Sequence, residues 1–313
     1  MFRADSSAEV GGGHVRRCLT LADALRARGW RATFAARPGT GEAAPWLGRS
    51  GNDVVELDCA EEDEPATLSR AWPAGAELLV VDHYGRDRRL ERACRPWARR
   101  IMVIDDLHDR PHDCDILLDQ TLGRSNSAYD GLVPEGCRLL LGAGFALLAP
   151  AFAAARGRVL ARRATSGTEK ILVAFGATDP KDATSLVLEG LARARGRFAA
   201  TVVLGPAAPH LDRVQRLAAQ LPPPAEIRVG LDSGEMAALM ANSDLAIGAG
   251  GTSSWERCCL GLPALVLVTA PDQREVADSL ARAGAALVVG EHPGLAPGAV
   301  ARALEDWAGA GLG

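Results

Sequence analysis

Residues 11–19 read GGGHVRRCL and residues 248–256 read GAGGTSSWE. Each places glycines or other small residues just before a stretch with helical spacing. In HVRRCLTLADALRARGW, Val15, Leu19, Ala22 and Leu25 recur at the helical period, so a helix begins at or near His14. In the second stretch, LAIGAG reads as a strand and the helix opens at Ser253. A strand, a turn of small residues and a helix form the repeating unit of doubly wound α/β sheets.

Working outward, short apolar runs alternate with amphipathic stretches along the whole chain: RATFAA, ELLVVD, RIMVID, DILLD and RLLLG in the first half, KILVAFG, FAATVVLG, LAIGAG and ALVLV in the second. Runs apolar on both faces are the mark of buried parallel strands with crossover helices. The expected fold is α/β, with two Rossmann-like doubly wound domains facing across a cleft. The expected boundaries are 1–150, a helical linker at 151–168 (FAAARGRVLARRATSGT) and 169–313.

Composition narrows the function. The chain has 313 residues, 48% of them hydrophobic, with 35 Lys and Arg against 39 Asp and Glu, a net charge of −4. That is enough apolar residue for two cores and gives no electrostatic footprint for nucleic acid or an acidic membrane. No apolar run reaches the ~18 residues needed to cross a bilayer. MFRADSS has no signal-peptide core, so a cytoplasmic protein is expected, and a monomer. The seven cysteines are scattered with no C-x-x-C pair, which points to reduced, buried thiols and away from a disulfide framework or structural zinc.

Ligands of such sheets bind past the carboxyl ends of the strands. The candidates there are Arg3, Asp5, Asp82, His83 and Tyr84 in the first half, and Gly176, Thr178, Gly250, Gly251, Thr252, Ser253 and Glu256 in the second. Gly12 and Gly13 would let the backbone approach a ligand. The start of a helix favours an anion, and it favours a neutral imidazole at His14 that can take a proton. A capping histidine without chemistry is the plainer reading of the same spacing, and glycines also serve tight packing. GAGGTSSWE has the geometry to hold a pyrophosphate on backbone N–H groups, with Glu256 placed for vicinal hydroxyls. Gln273 completes the substrate-binding set. DDLHDRPHDCD, 105–115, has His108 and His112 at helical metal-pair spacing. Pro111 breaks that face, so it reads as a solvated loop with no metal site. His210 and His292 read as surface residues, and Trp255 and Cys258 as packing residues.

Taken together, FRADSSAEVGGGHVRRCLTLADAL, VVDHYGRD, DDLHDRPHDCDILLDQ, GLVPEGCRLLLG, FGATDP and GAGGTSSWERCCLGLPALVL resemble the UDP-sugar hydrolases of pseudaminic acid biosynthesis, from the N-terminus to about residue 285. These are relatives of the GT-B glycosyltransferases. The resemblance implies a GT-B-like fold, a UDP-sugar substrate and no cofactor or metal. It also implies loss of UDP from UDP-2,4-diacetamido-2,4,6-trideoxy-beta-L-altropyranose by attack of water at the anomeric carbon. His14 matches the histidine that activates or positions the water and Tyr84 a tyrosine at the sugar, with Asp5 as a third catalytic candidate. Gly250 to Ser253 would hold the diphosphate and Glu256 the ribose. The chain departs from the pattern at Ala177, where glycine is usual, at Phe145, Ala149 and Ala151, and at both ends. The true start is expected upstream of Met1. Two rivals stand beside the hydrolase: a UDP-sugar glycosyltransferase and a nucleotide-sugar binding protein without turnover.

Overall fold

Nine of the apolar runs become strands, and the order in which they pair decides where the polar residues at their ends meet. The computed structural model describes residues 1–7, 9–163, 169–196 and 198–309. The chain divides into two units, Met1–Leu147 and Leu148–Gly313. The first holds β1 (Phe2–Ala4), β2 (Thr33–Ala36), β3 (Asp53–Glu56), β4 (Leu79–Asp82), β5 (Ile101–Ile104), β6 (Ile116–Asp119) and β7 (Arg138–Leu141). The second holds β8 (Lys170–Ala174), β9 (Ala199–Leu204), β10 (Glu226–Val229), β11 (Leu245–Ala249), β12 (Ala264–Val268) and β13 (Ala286–Glu291).

The sheets run β3-β2-β1-β4-β5-β6-β7 and β10-β9-β8-β11-β12-β13. All their pairings are parallel. Counted within its own unit, each begins 3-2-1-4-5-6, the doubly wound order, whose direction of winding reverses beside the first strand. That reversal lies between β1 and β4 in one unit and between β8 and β11 in the other. At those joints Ala4 pairs with Asp82 and Ala174 with Gly248. The loops that follow β1, β4, β8 and β11 therefore open at the switch points.

Each sheet is covered on both faces. In the first unit, one layer gathers Phe2, Val15, Leu19, Phe34, Val80 and Ile104, and the other Leu57, Leu68, Val81, Val103 and Leu117. The rings of Phe2 and Phe34 stack with centroids 5.0 Å apart. In the second unit the layers centre on Val173, Val187, Val202 and Ile247, and on Phe152, Leu172, Met240 and Val266. The central strands β4, β5, β11 and β12 are buried at every residue, whereas β3 and β10 at the sheet edges are mostly exposed.

Three sequence expectations change here. The stretch read as a linker, 151–168, is helical over Pro150–Arg163 and packs into the second unit through buried Phe152 and Val159. Its residues 164–168 lie outside the described residues. Cys258 is exposed, while Trp255 is 4% exposed and packs inside. The loop at 105–115 is not a solvated one. His112 and Glu91 are buried and joined Nδ1 to Oε1 at 2.7 Å. Buried Asp105 accepts from the Tyr129 hydroxyl at 3.1 Å and the His108 amide at 2.9 Å. The loop is tied down by its own polar groups. His210 and His292 are half-buried, each with Nε2 facing a carbonyl, of Pro180 and Lys181 respectively.

Candidate functional site

In the first unit the site grows from Asp82, the last residue of β4, whose side chain is fully buried. The helix Gly13–Arg26 starts beside it, and its spacing puts His14 and Arg17 three residues apart on one face. Both reach the same carboxylate. His14 Nδ1 lies 2.6 Å from Oδ1, and Arg17 donates Nε to Oδ2 at 2.6 Å and Nη2 to Oδ1 at 2.7 Å. Arg17 also donates Nη1 to Asp106 at 2.5 Å.

Burial alone would push the Asp82 carboxyl up, but the charge of Arg17 and the hydrogen bonds from Arg17 and His14 hold it well below the usual carboxylate range. Asp82 is therefore ionised and can only accept. The imidazole therefore donates from Nδ1, and in its neutral form Nε2 is the acceptor nitrogen. Nε2 has no hydrogen-bond partner among the described residues. The Tyr84 ring stands edge-on to the imidazole with centroids 4.5 Å apart. The tautomer is thus set by Asp82 and not by the helix start, whose N-cap Gly12 supplies no side-chain bond.

The other polar residues at this end play a different part from the one the sequence suggests. Arg3 is fully buried and gives its guanidinium to Glu64 (Nε, 2.6 Å) and Asp5 (Nη1, 2.6 Å; Nη2, 2.9 Å). Both oxygens of Asp5 are in use: Oδ1 also accepts the Arg37 amide at 2.8 Å, and Oδ2 lies 3.1 Å from His83 Nε2. Arg86 holds Glu64 from the other side at 2.7 Å. Burial pushes the Asp5 carboxyl up, and the bonds from His83 and Arg3 more than reverse it.

The strand-end candidates are thus placed differently from the expectation. Arg3 and Asp82 are fully buried partners of other side chains, and both oxygens of Asp5 are bonded. His83 anchors Asp5 and accepts the Gly85 amide at Nδ1, 2.8 Å. Gly12 owes its missing side chain to Trp46, since a Cβ there would come within 2.6 Å of the indole. Arg17, Glu64 and Arg86 were missed. The i, i+3 pairing of His14 with Arg17, facing an acid at a strand end, is the one signal that could have found any of them.

In the second unit, Gly176 has φ +91°, a turn that favours glycine. Thr178 beside it is buried. Asp179 accepts the amides of Ala183 (3.0 Å) and Thr184 (2.8 Å), capping the helix Ala183–Leu191. Across the switch point, Gly250, Gly251 and Thr252 lead into the helix Ser253–Cys259, with Glu256 half-buried on its first turn. A Cβ on Gly250 would come 2.9 Å from the Gln273 carbonyl, so this turn needs its glycine for packing. The Gln273 side-chain oxygen accepts from the Thr269 amide at 3.0 Å and hydroxyl at 3.1 Å.

The depressed carboxyls make acid the weak flank of the first unit. In acid the unfolded chain, whose Asp carboxyls take protons near 3.8, binds more protons than the folded one. The stability that Asp5 and Asp82 contribute is complete above that value and drains away as pH falls toward their folded-state values. Denaturant unfolding followed from about pH 6 down to about pH 2 should show midpoints falling below about pH 4. Asp82→Asn should be less stable at neutral pH and show a shallower acid slope. A slope identical to that of the parent chain would mean Asp82 is not held ionised.

With this geometry in hand, similarity to known proteins can be stated. No family model matches the chain. It is 35% identical over 291 residues to the spore coat polysaccharide biosynthesis protein SpsG of Bacillus subtilis, spanning 92% of this chain and 82% of that one. It is 28% identical over 251 residues to the UDP-2,4-diacetamido-2,4,6-trideoxy-beta-L-altropyranose hydrolase of Campylobacter jejuni, covering 79% and 83%. This agrees with the resemblance seen in the motifs. An uncharacterized protein of Methanocaldococcus jannaschii is 26% identical over 276 residues, and the chain, matched over 88% of itself, spans only about half (56%) of that relative's length. Among solved structures, MurG of Acinetobacter baumannii superposes with a TM-score of 0.62 at 14% identity, covering 98% and 89% of the two chains. UDP-GlcNAc 2-epimerase from Neisseria meningitidis superposes at 0.61 and 11%, covering 97% and 90%. At those identities the likeness is one of fold, that of the GT-B glycosyltransferases and the epimerases. At 35% identity over nearly its whole length, the chain belongs to the family of the spore coat polysaccharide biosynthesis protein SpsG.

Proposed function

We propose that the protein is a UDP-sugar hydrolase that releases UDP from UDP-2,4-diacetamido-2,4,6-trideoxy-beta-L-altropyranose, or a close diacetamido relative, without a metal. The observation that carries the proposal is the His14 imidazole, pinned at Nδ1 by an ionised Asp82 and unpartnered at Nε2 among the described residues. On this reading Nε2 takes a proton from water as its oxygen bonds to the anomeric carbon. The bond from that carbon to the UDP oxygen breaks, and UDP leaves with the electron pair. Tyr84, edge-on to the imidazole, bounds the space the sugar occupies. In the second unit Gly250 to Ser253 hold the diphosphate, and Glu256 accepts from the ribose hydroxyls. Support also comes from the hydrolase name carried by the Campylobacter relative. A glycosyltransferase would use the same base on an acceptor hydroxyl, so release of UDP with no acceptor present decides between the two.

The test is to incubate the protein with a panel of UDP-diacetamido sugars in EDTA and follow UDP by chromatography, with turnover expected and no gain from added divalent ions. His14→Ala and Asp82→Asn should each lose roughly 10² to 10⁴ in turnover, the usual worth of a positioned base. The first removes the base, while the second offers Nδ1 an amide and frees the imidazole to take the wrong tautomer. UDP affinity should stay within a few fold in both. Retained turnover in folded His14→Ala would reduce this residue to a helix-start packing group.

Glu256→Ala should weaken UDP binding by about 1.5 to 3 kcal/mol, the range for hydrogen bonds to a charged group. Calorimetric titration with UDP measures this directly, and an unchanged affinity would leave Glu256 a structural residue of its helix.

A further inference from the structure

Directly behind the turn at 250–253 lies a buried charge that, among the described residues, is bonded to no carboxylate. Arg257 is 3% exposed, yet its guanidinium meets only neutral oxygens: the Ala249 carbonyl at 2.8 Å, Ser254 Oγ at 2.8 Å and Ser253 Oγ at 3.3 Å. Among the described residues no carboxylate lies within ion-pair distance of it. Burial pushes its pKa down to about 10, against the opposing pull of Cys258 and Glu256. The fold makes room for it: a Cβ at Gly248 would come 3.0 Å from Nη1.

Arg163 shows how the same unit treats an arginine whose role is structural. Burial and the neighbouring Arg162 push it down to about 10 as well, yet Asp244 pulls the other way. Its guanidinium spreads over the carbonyls of Met240, Ser243 and Leu260, where two helices end. Helix ends of that kind carry negative partial charge. Arg257 has one carbonyl and two hydroxyls.

We propose that Arg257 is a built-in counter-charge for a diphosphate, acting through Ser253, so that the second unit recognises the diphosphate of its ligand before the nucleoside. A guanidinium only donates, so Ser253 Oγ accepts from Nη1 and its own O–H points elsewhere as a donor. Ser253 is half-exposed and carries the polarisation outward to an anionic oxygen. A buried cation without an anion weakens the empty protein, and binding of the anion removes that cost. The inference rests on the UDP-sugar reading for its nucleoside, but its charge argument stands on any diphosphate.

The test is calorimetric titration of the full chain with uridine, UMP, UDP and inorganic pyrophosphate, for the parent and two variants. Arg257→Gln keeps amide donors for Ala249 and Ser254 while removing the charge, and Arg257→Lys keeps the charge. Arg257→Gln should lose about 10- to 100-fold in affinity for UDP and pyrophosphate, as expected of hydrogen bonds to a charged group, with uridine changed less than about twofold. Arg257→Lys should recover most of that loss. Empty Arg257→Gln should melt at or above the parent's temperature. Unchanged UDP and pyrophosphate affinity in Arg257→Gln, an equal loss for uridine, or a marked fall in melting temperature would each overturn the inference and leave Arg257 a structural group. Should Arg257→Gln fail to fold, that failure is itself the fall in stability that overturns it. If the parent binds pyrophosphate but not UDP, the UDP-sugar reading fails while the pyrophosphate series still decides on Arg257. Binding of neither overturns both.

Discussion

A carboxylate at the end of a central parallel strand, shut away from water, is the constraint around which the first unit is arranged. Asp82 keeps its charge there only because Arg17 and His14 meet it from the opening turns of the first helix. Removing one partner of such a buried pair typically costs about 3–5 kcal/mol. That cost fixes the helix against the strand end, and the same bonds fix the imidazole. Stability and the orientation of His14 are one arrangement, not two. A second chain of charges, Asp5, Arg3, Glu64 and Arg86, stiffens the neighbouring end of β1 in the same manner.

The second unit solves its switch point by the opposite means. Where the first unit fills the strand ends with paired ions, the turn after β11 in the second carries glycines, hydroxyls and, among the described residues, a buried cation bonded to no carboxylate. Gly248 and Gly250 are held to their size by the Ala174 carbonyl, by Arg257 and by Gln273. Paired ions suit a group that must be oriented before a ligand arrives, since their charge is already spent on one another. An uncompensated cation suits a surface whose favourable interactions are to be made with the ligand itself.

Much of the fold was legible because parallel strands buried on both faces must be apolar throughout, and the nine continuous runs stand out against the amphipathic helices. The strands outside those runs are the three-residue β1, too short to stand out, and β3, β10 and β13, which lie at sheet edges. There DVVE, EIRV and ALVVGE face water and carry charges or a glycine, so they lack the uniform apolar signal. The site was legible in position but not in role. Polar residues at strand ends look alike in a sequence whether they face a ligand or one another. Arg3 and Asp82 proved to be buried partners, while His14 was found through a glycine triplet whose middle member serves the packing of Trp46. Arg257 gave no signal, because an arginine on a helix is ordinarily solvated and only the fold shows this one enclosed.

The two arrangements also divide the electrostatic labour. The pair of His14 and Asp82 is complete in the empty protein, so the ring's orientation is set by residues of the first unit before any ligand arrives. The guanidinium of Arg257 meets only neutral oxygens among the described residues, so on the inference drawn from it occupancy of the turn at 250–253 depends on the charge of the ligand. On the reading proposed here, a sugar without its diphosphate would find the base intact and still not be held. Discrimination then rests with the second unit and proton transfer with the first. On that reading, changes that tune one need not disturb the other.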